Sequence, residues 1–142
     1  MSELVDGLLK DAGWVQGRRR PLEKELNLLR SNGFRTGKRL EDFLGEFGGL
    51  TIRYIRNGRE DAAVLDVGRA CDWADPEWVT EYSERAGTPL SPVGYANHEH
   101  LILLMGEDGR FYCGFDDFLG YLGDSGREMI RRLATQEIEP IP

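Results

Sequence analysis

The chain has 142 residues, of which 40% are apolar and 30% charged, and its formal net charge is −7. This length fits one compact domain with its own core, and the composition excludes an intrinsically disordered chain. The apolar runs are too short for a membrane-spanning helix, which needs about 20 residues, and the excess of acid disfavours binding to nucleic-acid phosphates or lipid headgroups.

The compartment can be predicted from the N-terminal composition and the cysteines. The first residues carry acids where a secretory signal peptide carries bases, which predicts a cytoplasmic location. Cys71 and Cys113 are far apart in sequence, and a disulfide between them is geometrically possible. Because cytoplasmic chains keep their thiols reduced, we expect two free and mostly buried cysteines.

The first third of the chain predicts three helices. Apolar residues at helical spacing mark a helix over 4–12 and another over 21–33, the second opened by proline and closed by Asn-Gly. Between them, Arg18-Arg19-Arg20 is expected to be a solvated basic loop. A third helix ends at Gly48-Gly49, and its apolar residues have i, i+3, i+4, i+7 spacing; they are Leu40, Phe43, Leu44 and Phe47.

From residue 50 the pattern changes to β-structure. Thr51 to Arg56 is β-branched and aromatic, Asn57-Gly58 is a strong hairpin signal, and Ala62 to Val67 is the predicted returning strand. Asp75-Pro76-Glu77 then opens a helix, with an aspartate cap and a proline in the first turn, and Gly87 ends it.

The last third predicts two hairpin strands, a further strand and a closing helix. Strands are expected over 92–96, 101–105 and 110–115, and Ser125 to Glu128 has the spacing of a capping box that starts the last helix. The tail, 137–142, contains two prolines and is expected to be extended. The order of elements predicts an α+β domain over 1–136, with helices packed against an antiparallel sheet.

The nearest approach to a metal site is His98-Glu99-His100, which Cys71 or Cys113 could in principle join. A zinc site needs three or four ligands, usually with paired spacing, and neither C-x-x-C nor H-E-x-x-H is present. We therefore interpret the segment as a polar turn. No serine lies in a G-x-S-x-G elbow, and nothing in the sequence ties either thiol to a histidine. We expect neither catalytic residues nor a metal or cofactor.

The acidic residues are concentrated in the second half of the chain. Residues 1–58 carry a net charge of +3 and residues 59–142 a net charge of −10, while 60–124 contains fourteen Asp/Glu against three Lys/Arg. A strongly negative surface attracts basic partners and speeds their association, although such a charge also serves plain solubility. Trp73 lies between Asp72 and Asp75, an arrangement that suits an interface anchor.

Several blocks resemble, in order along the chain, the third family of the SUKH superfamily. They are Ala12-Gly13-Trp14 with Gly17-Arg18, the FLGEFGGL block at 43–50, the LSPVG block at 90–94, the hairpin at 101–111 and the closing segment at 122–125. The resemblance implies an α+β fold. It also implies a non-catalytic immunity protein of a bacterial polymorphic toxin system, which binds and neutralises a toxin that is typically a nuclease or a nucleic-acid deaminase.

This implied function predicts a protein partner. A toxin that handles nucleic acid needs a basic groove, and an acidic protein can cover that groove. We expect a basic cognate toxin, not nucleic acid or a membrane, and the candidate contact residues are Asp72, Trp73, Asp75, Glu99, Glu107, Asp108, Asp116 and Asp117. Two alternatives remain: a regulatory protein-interaction domain without a toxin partner, and an enzyme that holds a metal through His98, His100 and a cysteine. The pattern leaves the oligomeric state open.

Overall fold

A computed structural model describes residues 3–96 and 101–142 of the chain. Within these residues, six helices surround one antiparallel sheet of seven strands, and each strand pairs with its neighbour in sequence. The α+β prediction is confirmed. The helices are α1 (Glu3–Asp11), α2 (Glu23–Ser31), α3 (Lys38–Phe47), α4 (Val67–Trp73), α5 (Pro76–Ala86) and α6 (Gly126–Thr135). The strands are β1 (Thr51–Arg56), β2 (Arg59–Val64), β3 (Leu90–Ala96), β4 (Leu101–Gly106), β5 (Phe111–Phe115), β6 (Phe118–Gly123) and β7 (Glu139–Pro140).

The first hairpin is tighter than the sequence pattern predicts. Asn57 and Gly58 both have positive φ, 52° and 75°, as a two-residue hairpin turn requires. Arg59 therefore pairs directly with Arg56, and the returning strand begins at Arg59 instead of residue 62. The predicted end of that strand is also wrong, because Val67 is already the first residue of α4.

Helix α4 and strand β6 were not predicted, and both depend on tertiary contacts. Helix α4 has only seven residues, too few to be stable alone, and it is held by packing against β3 and α2. Its local signal is Asp66, which caps it by accepting a hydrogen bond from the Arg69 amide at 3.0 Å. Strand β6 contains two glycines, which weaken β propensity. It is nevertheless held on both sides, because β5 pairs with one edge and the short strand β7, from the C-terminal segment, pairs with the other.

The two faces of the sheet are buried by different helices. The inner face and the helices α1, α2, α3, α4 and α6 form the larger core, in which the rings of Phe43 and Phe111 lie 4.7 Å apart. The outer face of the central strands packs against α5 in a smaller core. The buried residues of this smaller core are Ala74, Val79, Tyr82, Leu90, Leu104, Tyr112 and Leu119.

The basic loop at 18–20 is not the solvated segment that the sequence predicts, because two of its arginines bind the end of α3. Arg18 donates to the carbonyl of Glu46 at 2.7 Å, and Arg20 lies 3.5 Å from the carbonyl of Leu44. The last carbonyls of a helix carry partial negative charge, so cations are favourable there. Only Arg19 keeps a mostly exposed side chain, at 74%.

The cysteines are free and buried, and the predicted burial is confirmed. Burial raises the pKa of the Cys113 thiol to about 12. Burial, assisted by the nearby carboxylate of Asp72, raises the pKa of Cys71 to about 11. Both thiols are therefore protonated at neutral pH. In the part of the chain described, no helix has the length and apolar character needed to cross a membrane.

Candidate functional site

One of the eight candidate contact residues, Glu99, lies outside the described residues, as do His98 and His100. Within 3–96 and 101–142, no group of three His, Cys, Asp or Glu side chains is placed to hold a metal ion. The remaining seven candidates can be located on the fold.

The seven candidates occupy two separate regions. Glu107 and Asp108 lie in the turn between β4 and β5, whereas Asp116 and Asp117 lie in the turn between β5 and β6. These turns are separated by the length of the five-residue strand β5, roughly 17 Å at about 3.4 Å per residue. The acidic candidates therefore do not form one continuous patch.

The region at the β5–β6 turn also includes the connection between α4 and α5. Trp73, Asp75 and Asp116 line one cavity of about 140 Å³. Asp72 and Asp117 are the chain neighbours of these lining residues, and their side chains are exposed. We call this region the acidic–aromatic surface; it consists of Asp72, Trp73, Asp75, Asp116 and Asp117.

Helix α5 holds the β5–β6 turn in place. The ring of Tyr82 lies so close to Gly114 that a Cβ at this position would overlap it, and the Tyr82 hydroxyl donates a hydrogen bond to the carbonyl of Asp116. Arg85 donates to the carbonyl of Asp117 at 2.8 Å. Burial, and then the charge of Asp116, raise the pKa of Tyr82 to about 12, so the phenol remains a donor at neutral pH.

The aromatic side chains of the surface are packed against one another. The indole of Trp73 is 37% exposed, and its ring centroid lies 4.7 Å from that of Tyr95 in an edge-to-face arrangement. The Arg69 guanidinium lies over the Trp73 ring, 5.0 Å from its centroid. Trp78 stacks on Tyr82 with centroids 5.9 Å apart. These contacts fix the orientation of two indoles at the edge of the cavity.

The carboxylates of the acidic–aromatic surface have no ion-pair partner within residues 3–96 and 101–142. Among the described residues, no Lys or Arg forms an ion pair with Asp72, Asp75, Asp116 or Asp117. The neighbouring Arg85 directs its guanidinium to the carbonyls of the β5–β6 turn and of the C-terminal residues. In the described part of the chain, these four exposed carboxylates therefore carry no ion pair, and only Asp75 has a local role, as the cap of α5 that accepts a hydrogen bond from the Glu77 amide at 2.9 Å.

The acids at the other end of β5 are already engaged within the protein. Glu107 pairs with Arg35 at 3.3 Å, and its carbonyl accepts a hydrogen bond from Arg39 at 3.2 Å. Asp108 accepts from the Arg110 amide at 3.0 Å and from the Tyr112 hydroxyl at 3.2 Å, so it shapes its own turn. These two residues offer less unpaired charge to a partner than the sequence alone indicates.

A wider groove of about 660 Å³ lies beside Asp108, between α3 and the start of α6. Three arginines and four acids line it, so its charges largely cancel. Arg110 pairs with Asp124 at 3.5 Å, and Arg127 pairs with Asp6. This groove lacks the net negative charge that would attract a basic protein.

The acidic and aromatic side chains that α5 contributes were not among the candidate contact residues predicted from the sequence. Glu77, Glu81 and Glu84 are exposed acids of this helix, and Glu81 pairs with Arg85 at 3.8 Å. Their i, i+4, i+7 spacing places them on one side of a helix and could have been recognised from the sequence. The positions of Trp78 and Tyr82 beside the cavity could not, because they depend on how α5 packs against the sheet.

Comparison with known proteins gives one match. A family model described as SUKH-3 immunity protein matches residues 1–136 of this chain. No curated protein and no solved structure matches it significantly. The matched range includes all the candidate contact residues and every element except β7.

Proposed function

The chain belongs to the SUKH-3 immunity protein family, and from this membership we propose that it neutralises a cognate toxin by covering it with the acidic–aromatic surface. Membership itself implies toxin immunity and a toxin as partner, and proteins of such families are generally not catalytic. The choice of surface rests on one observation: four exposed carboxylates beside an aromatic cavity have no cationic partner in the described part of the chain.

The location of these charges favours protein binding over plain solubility. Acids that serve only solubility need no defined position, whereas Asp116 and Asp117 lie in a turn whose backbone is held by Tyr82 and Arg85. The partly exposed indole of Trp73 adds the kind of aromatic anchor that is enriched at interface hot spots. Charge and anchor together match a basic protein surface.

We propose further that the toxin acts on nucleic acid, as a nuclease or a deaminase. Such an enzyme carries a basic groove for phosphates, and an acidic surface can occupy that groove in place of the substrate. Complementary charge also accelerates the encounter, which matters for a protein that must reach its toxin before the substrate does. Because the substrate is in the cytoplasm, we place the encounter there.

The proposal is tested by expressing the protein encoded beside this chain's gene, with and without the chain. Bacterial growth and cellular nucleic-acid integrity report the toxicity, and a pull-down with purified proteins reports direct binding. We expect the neighbouring product to be toxic alone, harmless when the chain is present, and retained by the tagged chain.

A neighbouring gene product that is not toxic, or whose toxicity the chain does not reduce, would contradict immunity and favour a regulatory interaction domain. Protection without physical binding would contradict occlusion. Stoichiometric zinc in the purified protein would instead favour the metal-dependent enzyme that His98 and His100 leave open.

A further inference from the structure

The cavity of the acidic–aromatic surface differs from an ordinary acidic patch, because indoles form part of its walls. It lies between the α4–α5 connection and the ends of β4 and β5. Trp73 and Trp78 supply aromatic walls, and Asp75 and Asp116 add carboxylates. Flat aromatic faces beside negative charge match a planar cation in both shape and charge.

The walls are in place before any partner binds. Trp73 is held against Tyr95, and Trp78 is stacked on Tyr82 at an interplanar angle of 20°. Tyr82 is itself buried and bound through its hydroxyl to the carbonyl of Asp116. A ligand that enters this cavity therefore loses little affinity to the ordering of side chains.

The chain itself provides a guanidinium contact of this kind. Arg69 lies over the Trp73 ring at 5.0 Å, and both side chains are exposed. The indole of Trp73 thus already accepts a guanidinium on its face. Arg69 does not line the cavity and forms no ion pair with Asp75 or Asp116, so it leaves the charge of the cavity uncompensated.

We propose that this cavity receives an arginine side chain of the partner protein. The guanidinium stacks against an indole while Asp75 and Asp116 accept its N–H groups. Lysine is a poorer fit, because its ammonium is compact, strongly hydrated and has no flat face to stack. The inference rests on the proposed function for the identity of the partner as a toxin, whereas the preference for arginine is a property of the cavity alone.

The test uses the full chain and two small probes of equal charge, N-acetyl-arginine amide and N-acetyl-lysine amide. The three indole N–H signals are followed by NMR during titration. Trp14 is an internal control, because its indole contacts α3, where its Nε1 donates a hydrogen bond to Glu46. We expect saturable shifts of the Trp73 and Trp78 signals, no shift for Trp14, and binding of the arginine probe about threefold tighter than that of lysine.

The double variant Asp75→Asn, Asp116→Asn should bind the arginine probe with about fivefold lower affinity, as expected for the loss of two exposed charge contacts. Asparagine also caps helices, so α5 is preserved. The matched control, Glu23→Gln with Glu41→Gln, removes two exposed carboxylates elsewhere and should leave the affinity unchanged.

Equal binding of the two probes, equal shifts of all three indoles, or no loss in the double variant would each overturn the arginine site. Because these readouts need no toxin, they are separate from the protection experiment. Neutralisation of the toxin together with no preference for arginine would remove this inference and leave the proposed function standing.

Discussion

The indole of Trp73 lies edge-on against the phenol ring of Tyr95, with centroids 4.7 Å apart. Tyr95 projects from the outer face of β3, so this contact links the end of α4 to the sheet and leaves 37% of the indole exposed. A large aromatic side chain that is fixed in orientation and only partly covered is well suited to bind a partner.

We predict that Trp73→Ala weakens toxin binding by about 30-fold or more, as expected for an interface hot spot worth about 2 kcal/mol. The free energy of unfolding should fall by about 3 kcal/mol, because the substitution removes the covered part of the indole together with its contacts to Tyr95 and Arg69. Calorimetric titration with toxin and urea unfolding measure the two effects. The control is Ile55→Ala on β1, which removes a 64% exposed side chain and should leave affinity unchanged. Equal losses of affinity in both variants would argue against a specific role for Trp73.

A second prediction concerns the hydrogen bond between Tyr82 and the carbonyl of Asp116. Tyr82→Phe removes the hydroxyl and should lower the free energy of unfolding by about 1 kcal/mol, the usual net value of such a bond. Chemical denaturation measures this change. Tyr121→Phe is the matched control, since its hydroxyl contacts the exposed carboxylate of Asp124 and its loss should cost less. An unchanged stability of Tyr82→Phe would show that the bond does not hold the β5–β6 turn.

A third prediction concerns acid stability and Glu128 on α6. Hydrogen bonds from Arg131 and then Arg132 lower the pKa of Glu128 to about 2. A carboxyl whose pKa is lowered by folding contributes stability above its unfolded pKa, about 4.3, and loses that contribution as pH falls toward about 2. Glu128→Gln should therefore be less stable than the wild type at pH 7, and the difference should shrink between about pH 5 and about pH 2, a window set by these two pKa values.

Urea unfolding of both proteins across this range measures the effect. Glu41→Gln, which removes an exposed carboxylate without an ion pair among the described residues, is the control and should show a smaller dependence on pH. A stability difference for Glu128→Gln that stays constant down to pH 2, about the value that the arginines set, would contradict the assignment.

A fourth prediction concerns the two thiols. Because both are buried and have raised pKa values, they should react slowly with a disulfide reagent at pH 7, at about the rate at which the fold opens. Denaturant should make both react at once. Cys113→Ser leaves Cys71, which is 8% exposed, and Cys71→Ser leaves the fully buried Cys113. Labelling should be faster in the first variant, and rapid labelling of Cys113 in the native protein would show that the core is open.

Local signals in the sequence predict those elements whose ends carry capping residues, proline or glycine. Asp75, Pro76 and Gly87 define α5, and all three have the predicted roles, with Gly87 in the left-handed region. Strand β6 carries no such signal, because its pairing with the C-terminal β7 depends on residues about twenty positions away in sequence. The first two sequence blocks that resemble the family are far apart in the chain and come into contact only in the folded protein, where Trp14 donates a hydrogen bond to the Glu46 carboxylate at 3.2 Å.

The same limit applies to the candidate surface. The sequence locates the excess of acid but not the partners of each acid. Glu107 forms an ion pair with Arg35, which lies 72 positions earlier in the chain. Asp116 and Asp117, by contrast, have no ion-pair partner among the described residues. Trp73 was recognised from its acidic neighbours in the chain, whereas the cavity beside it required the packing of α5 on the sheet.

The measurement that tests the central claim most directly is the dissociation constant of the toxin complex for two variants of equal charge. One variant replaces Asp72, Asp75, Asp116 and Asp117 by asparagine. The other replaces four exposed acids of the helical side by their amides, namely Glu3, Asp11, Glu23 and Glu41. If this surface binds the toxin, the first variant should lose about 30-fold in affinity, since four exposed charge contacts of about 0.5 kcal/mol each amount to about 2 kcal/mol. The second variant should bind as the wild type does. Equal affinities for the two variants would contradict toxin binding through the acidic–aromatic surface.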